Sequence, residues 1–402
     1  NKKLTSIKGL QKFSVLQKSH DSLITNNKKL TKIFERDTTL IKGPETPVID
    51  SRNGKLYVLT EDANLVSLTE FEPLTNANNV SSQAHTKSSR TKLISAEATL
   101  VADLGVGRPL GGKFDSDGTL YIADAVLGLT RVKHIDGDGM GDGIMPKVEL
   151  VVSQVIDEDG SLSNIAYAND VDIGSQTGHV YFTDSTDIAP ERVQIKTWDT
   201  MVSFKRDLLR GTKMGRLIRY KPETDEVDIL ASNIGFANGV AIDAEETFVM
   251  ISETTTARQL KYHLKGRRTG TLEVMMDDLL PGYPDGGACS PTTGLCYAPM
   301  PSIEVPILRI IAKSPSQWLS AFVRTVLLMM PRQILSAILP VPYGGVAEIF
   351  PGDENGDSGG RVMRILQDSF GEEIAMITGV AVHDDRLYLG SLKNNFIGVF
   401  EL

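Results

Sequence analysis

One pattern of apolar and polar positions recurs along the chain. A short alternating run leads into a Gly-centred turn, and a second run follows that contains a Tyr or a bulky aliphatic pair. The copies lie at residues 47–58, 111–124, 170–184, 239–251, 287–297 (the weakest) and 379–390. Alternation with period two marks a strand with one face buried, and two such runs around a Gly/Asp/Asn turn mark a hairpin. Hairpins recurring about every sixty residues, at irregular spacing, predict an all-β fold, a six-bladed β-propeller. Residues 215–222 and 360–366 read as outer blade strands, and 32–36 and 38–41 as edge or closing strands. Long helical patterns alternating with strands are missing, which excludes a two-domain α/β protein.

Two stretches interrupt the pattern. Residues 76–90 are a polar Asn/Ser/Thr-rich loop that contains the glycosylation triplet Asn79-Val80-Ser81. Within 302–342, the runs 316–330 and 332–339 have helical spacing with Pro at their ends, the one helical insert the pattern predicts, between blades five and six. Packed over the top face it would be a pocket lid carrying Trp318 and Phe322. It could equally cover a blade surface, or touch a membrane through Trp318, Phe322, Leu327 and Leu328. Residues 1–28 lack periodicity and read as a flexible N-terminal arm, leaving 29–402 as the propeller.

Four short stretches place a lone oxygen-bearing side chain beside tight-turn chemistry. They are Gly43-Pro44-Glu45, Ala168-Asn169-Asp170-Val171, Ala237-Asn238-Gly239-Val240 and Leu280-Pro281-Gly282-Tyr283-Pro284-Asp285-Gly286-Gly287. Each alone reads as an Asx-type turn. Four at blade starts predict that Glu45, Asn169, Asn238 and Asp285 meet around a hard cation, since two carboxylates and two carboxamides suit Ca2+. Asp170 and Asp184 are candidates to support these ligands from behind. His134 and His383 fall in polar turns and read as solvated. Residues 134–143 imitate a calcium loop but lack the bidentate Glu that an EF-hand requires.

Bulk properties narrow the partners. A net charge of −9 argues against nucleic acid. Eight Lys among the first 32 residues are the basic exception, a solvated arm or a patch for an anionic surface. The two cysteines, Cys289 and Cys296, flank a hairpin turn, and a disulfide and two buried thiols both remain open. No apolar run reaches the roughly 18 residues that span a bilayer. A chain that opens on Asn1 fits removal of an upstream signal or anchor, and with the glycosylation triplet it points to the secretory pathway or a membrane-associated location.

A set of motifs in fixed order resembles the strictosidine synthase-like family, which includes adipocyte plasma membrane-associated protein and is related to paraoxonases and gluconolactonases. The motifs are Gly107-Arg108-Pro109-Leu110-Gly111, 120–125, 181–185, 215–220, Phe236-Ala237-Asn238-Gly239-Val240, 280–285 and 387–391. The resemblance covers residues 30–402. It implies a six-bladed propeller with a site at the top of its channel, and calcium on Glu45, Asn169, Asn238 and Asp285 as in the paraoxonase and gluconolactonase branches. Two departures stand out: Gly286 replaces an Asn found after the last Asp in many relatives, and Leu110 replaces the His of a paraoxonase dyad.

These observations predict a calcium-dependent hydrolase of esters or lactones, arylesterase- or lactonase-like. Its substrate is a small molecule, and Asp285 serves as general base. Two alternatives stand beside it. One is a metal-free condensing enzyme of the strictosidine synthase kind, whose glutamate would fall near 375–379, with Glu372 and Glu373 slightly earlier. The other is a non-catalytic, membrane-associated binding propeller with structural calcium.

Overall fold

In a computed structural model of the protein, the described residues are 30–36, 40–73, 91–135, 146–276, 280–304, 342–352, 359–368 and 371–402, with isolated positions between 318 and 329. Each predicted hairpin is present. They run Thr46–Asp50 to Lys55–Leu59, Pro109–Phe114 to Leu120–Asp124, Ala168–Ile173 to Val180–Asp184, and Ala237–Ile242 to Phe248–Glu253. The last two are Ala288–Cys289 to Cys296–Ile303 and Ile377–His383 to Arg386–Ser391. All pair antiparallel and form the inner part of larger sheets.

The first strands of these hairpins abut one another in chain order, and Ile377–His383 packs back on Thr46–Asp50. The result is a propeller-type ring of sheets around an axis. Gly215–Lys221 and Arg361–Asp368 lie further out in their sheets, as their patterns predict. The terminal sheet is completed by Leu30–Glu35, which pairs antiparallel with Ile397–Glu401 and parallel with Lys92–Asp103. There Lys32 is buried, 2.9 Å from Glu373. The strand expected at 38–41 differs: Leu40 and Ile41 are irregular, and 37–39 lie outside the described residues.

Apolar clusters fill the space between successive sheets. Val48, Leu59, Phe114, Leu120 and Ile122 join the first two, and Tyr121, Val171, Phe182 and Ile218 the next pair. A sheet packed on both faces leaves its second strand no solvent side. Leu120–Asp124 and Val180–Asp184 are accordingly buried at every position.

One element corrects the expected layout. Helix α1 (Thr200–Arg210) lies in the third sheet's insert, where no helix was expected. Asp199 caps it by accepting from Val202 N, and Gly211 ends it in the left-handed region at φ 69°. Its buried positions include Thr200, Ser203 and Asp207. An apolar stripe is thus interrupted by polar residues, which hides the helical period. Cys289 and Cys296 form a disulfide with Cα atoms 4.0 Å apart, resolving the alternatives left open above. The arm 1–28, the triplet at Asn79, the loop 136–145 and most of 302–342 lie outside the described residues.

Candidate functional site

Backbone irregularities aim the site's side chains. Four inner strands begin with a register shift, between Pro109 and Gly111, Ala168 and Val171, Ala237 and Val240, and Ile377 and Val380. A bulge of this kind bends the strand and re-aims a side chain. The residues it redirects are Leu110, Asn169, Asn238 and Thr378. Glu45 immediately precedes the inner strand Thr46–Asp50, and Asp285 stands just ahead of Ala288–Cys289.

Backbones come close where strands converge. Gly239 N donates to Asp285 O at 2.9 Å, and a Cβ at Gly239 would lie 2.3 Å from that oxygen, so only Gly can follow Asn238. Gly286 N donates to Thr378 O at 2.9 Å, and a Cβ there would lie 2.7 Å from it. A side chain at position 286 would therefore press on that backbone.

Glu45, Asn169, Asn238 and Asp285 all line one partly open cavity. Its wall is largely apolar: Tyr167, Met201, Phe204, Phe236, Tyr283, Met376 and Leu392. Helix α1 supplies Thr200, Met201 and Phe204. The Phe204 ring meets Phe236 and Tyr283 edge-on at 5.3 and 6.1 Å. Trp318 and Phe322, the residues of the expected lid, stack on each other at 5.9 Å and are 75% and 56% exposed, and most of 302–342 lies outside the described residues.

The aromatic wall carries a signal that the turn chemistry masks. Tyr167, Phe236 and Tyr283 each stand two residues ahead of Asn169, Asn238 and Asp285. Each polar group thus arrives with an aromatic neighbour that lines the same cavity. Phe236 and Met376 hold positive φ angles of 53° and 51°, a costly conformation for such side chains, at two strand starts on the cavity rim.

Charge is concentrated at the polar end. Glu45 is buried, and burial pushes its carboxyl up to about 7 against the opposing pull of Arg108. Arg108 Nη2 donates to Glu45 Oε2 at 2.8 Å. Asp285 faces the cavity and is partly buried. Burial, then Glu45 and Asp170, raise it well above the usual carboxylate range, while the Asn238 side chain donates to it. Asp170, raised to about 7 by burial, accepts from the amides of Val171, Val240 and Gly287. Asp184 takes Tyr167 N on one oxygen and Arg216 on the other, at 2.9 and 2.6 Å, and so positions the cavity wall from behind.

These residues fit a hard cation in donor chemistry. Asn238 Oδ1 is buried with no hydrogen-bond partner among the described residues, and two carboxylates share its cavity. No cluster of three or more acidic, His or Cys side chains occurs among the described residues, so the carboxamides are needed to complete the set. His383 approaches Asp384 at 3.4 Å and neither lines the cavity, and His134 is exposed.

A ring of sheets around a cavity with a polar centre and an apolar wall defines a propeller-type protein. Residues 169–267 match the family model for strictosidine synthase. Protein STRICTOSIDINE SYNTHASE-LIKE 3 of Arabidopsis thaliana is 28% identical over 90% of this chain and 83% of its own length. Adipocyte plasma membrane-associated protein of Salmo salar is 28% identical over 74% of this chain and 64% of its own. The chain is similar to the strictosidine synthase-like and adipocyte plasma membrane-associated proteins. A solved gluconolactonase from Xanthomonas campestris superposes with a TM-score of 0.50 at 11% identity, covering 90% of this chain and 87% of that one, a likeness of fold.

Proposed function

We propose that the chain is a six-bladed propeller that hydrolyses esters or lactones with calcium held by Glu45, Asn169, Asn238 and Asp285. The observation that carries this reading is the convergence of those four oxygen-bearing side chains on one cavity with an apolar wall. Calcium bound there would supply a Lewis acid for an ester carbonyl. The chain's own residues do the rest. Tyr167, Phe204, Phe236 and Tyr283 bind the apolar part of the substrate, and α1 keeps water from that side. Asp285 takes the proton from the attacking water.

The condensing alternative finds less support. Over 375–379 the side chain presented to the cavity is Met376, and Glu373 is paired with Lys32. The Cys289–Cys296 disulfide favours an oxidising compartment, the secretory pathway or cell exterior. The names of the relatives are compatible with membrane association, although no described helix is long and apolar enough to cross a bilayer.

The test follows aryl esters and lactones with chelator-stripped protein before and after calcium is restored. Hydrolysis that returns with calcium and disappears in Asp285→Asn is expected. No turnover by parent protein loaded with calcium overturns the reading. An amine and aldehyde panel, run in parallel, then separates condensation from a purely binding role.

A further inference from the structure

Arg108 is absent from the ligand set read from the sequence, yet it sits against one of its members. Its Nη2 donates to Glu45 Oε2 at 2.8 Å, and the two side chains are 3% and 9% exposed. The contact is one-armed: Nη1 is buried with no hydrogen-bond partner among the described residues. A second unpartnered buried atom, Asn238 Oδ1, belongs to the cavity that Glu45 lines. A guanidinium fixed only for structure normally closes its fork on a carboxylate with two bonds, and open buried donors and acceptors cost free energy. The Arg108 backbone, by contrast, is pinned on both sides. Its amide donates to Asp124 Oδ1 at 3.0 Å, and its carbonyl accepts from Ala125 N at 2.9 Å.

We propose that Arg108 is a built-in competitor for the divalent cation. Its guanidinium neutralises Glu45 in the ion-free protein and must release that oxygen before a cation can use it. The proposal rests on the cation site above and adds what sets its affinity. Two positive centres sharing one carboxylate in a poorly screened interior repel strongly, so the two states exclude each other. The apparent affinity for the ion is then lowered by the fraction of molecules in which the guanidinium has let go. The chain can thus fold and persist without the ion and respond to its concentration.

Calorimetry with calcium chloride on chelator-stripped full-length protein tests this in the parent, Arg108→Met and Arg108→Lys. Arg108→Met is expected to bind calcium at least about tenfold more tightly than the parent. Arg108→Lys falls between, because a compact ammonium on a flexible stem holds Glu45 less firmly. Ion-free Arg108→Met should melt lower than the parent and gain more from added calcium. A folded Arg108→Met with equal or weaker calcium affinity overturns the proposal, and if that variant fails to fold, Arg108→Lys decides by the same criterion. Binding in the parent with no gain in either variant removes the competition and leaves the proposed function standing. Binding in the variants alone supports competition and removes resident calcium from the functional reading. No heat from any folded variant removes both.

Discussion

Asp170 and Asp285 belong to neighbouring parts of the same axis and are both raised by burial, but their partners differ. Asp170 receives three backbone amides, from Val171, Val240 and Gly287. One turn along the strand, Asp172 does the same with Ile173 and Ile242, and Lys113 closes on it at 2.8 Å. These carboxylates stitch the third sheet to the fourth and bind the ends of the fifth. At the cavity, Asp285 and Glu45 sit instead among groups with bonds left open, namely Arg108 Nη1 and Asn238 Oδ1. The difference teaches that acidity at a blade start does not by itself mark a ligand. Asp170 is answered by three backbone amides and holds the ring together, whereas Glu45 and Asp285 take side-chain donors, Arg108 and Asn238, that each keep a buried bond open.

The comparison can be broken by exchanging the two behaviours. Asp285→Asn should reduce ester or lactone hydrolysis by on the order of 10²–10³, as losses of a transition-state-stabilising group do, with the ion-free melting temperature unchanged or higher. Asp170→Ala should act the other way. Three amides lose their acceptor, costing about 3 kcal/mol of stability in denaturant melts, while the folded fraction keeps its turnover within a few-fold. Equal stability losses in both variants would erase the distinction.

Titration sharpens it. The folded carboxyls of Glu45 and Asp170 stand at about 7, above their ordinary 4.5 and 3.8. Groups raised on folding lend stability that is complete below the ordinary value and lost as pH rises through the folded one. The ion-free protein should therefore melt at progressively lower temperature between about pH 5 and pH 8. Glu45→Gln should flatten part of that slope, and saturating calcium more of it, because ion binding favours the charged forms. A melting temperature that climbs across this range would contradict the assignment.

The apolar wall gives smaller effects. Phe204→Ala removes one ring from a stack of three and should raise KM about tenfold with little change in kcat, the pattern of lost uniform binding. Asp199→Ala removes the α1 cap and should cost about 1 kcal/mol of stability.

Much of this was legible in the sequence. The hairpins announced themselves through period-two alternation and Gly-centred turns; Glu45, Asn238 and Asp285 could be found because each sits beside Gly or Pro, and Asn169 because an Asn-Asp pair opens its strand. Three features were not. Helix α1 buries Thr200, Ser203 and Asp207 beside Leu208 and Leu209, so polar residues interrupt its inward face. Arg108 looked like one letter of a turn motif, and only folding brings it across 63 positions of sequence to Glu45. The third is that a half-polar helix lines the cavity at all, since the apolar helical pattern of 302–342 draws the eye, while α1 hydrogen-bonds its own surroundings, Ser203 Oγ to Ala189 O at 2.9 Å.

The most direct measurement is the heat of calcium binding to chelator-stripped parent, Asp285→Ala and Asp170→Asn protein, each checked for folding by circular dichroism. The account predicts saturable binding in the parent, none in Asp285→Ala, and retained binding in Asp170→Asn. A silent parent, or binding that survives in Asp285→Ala, would contradict it.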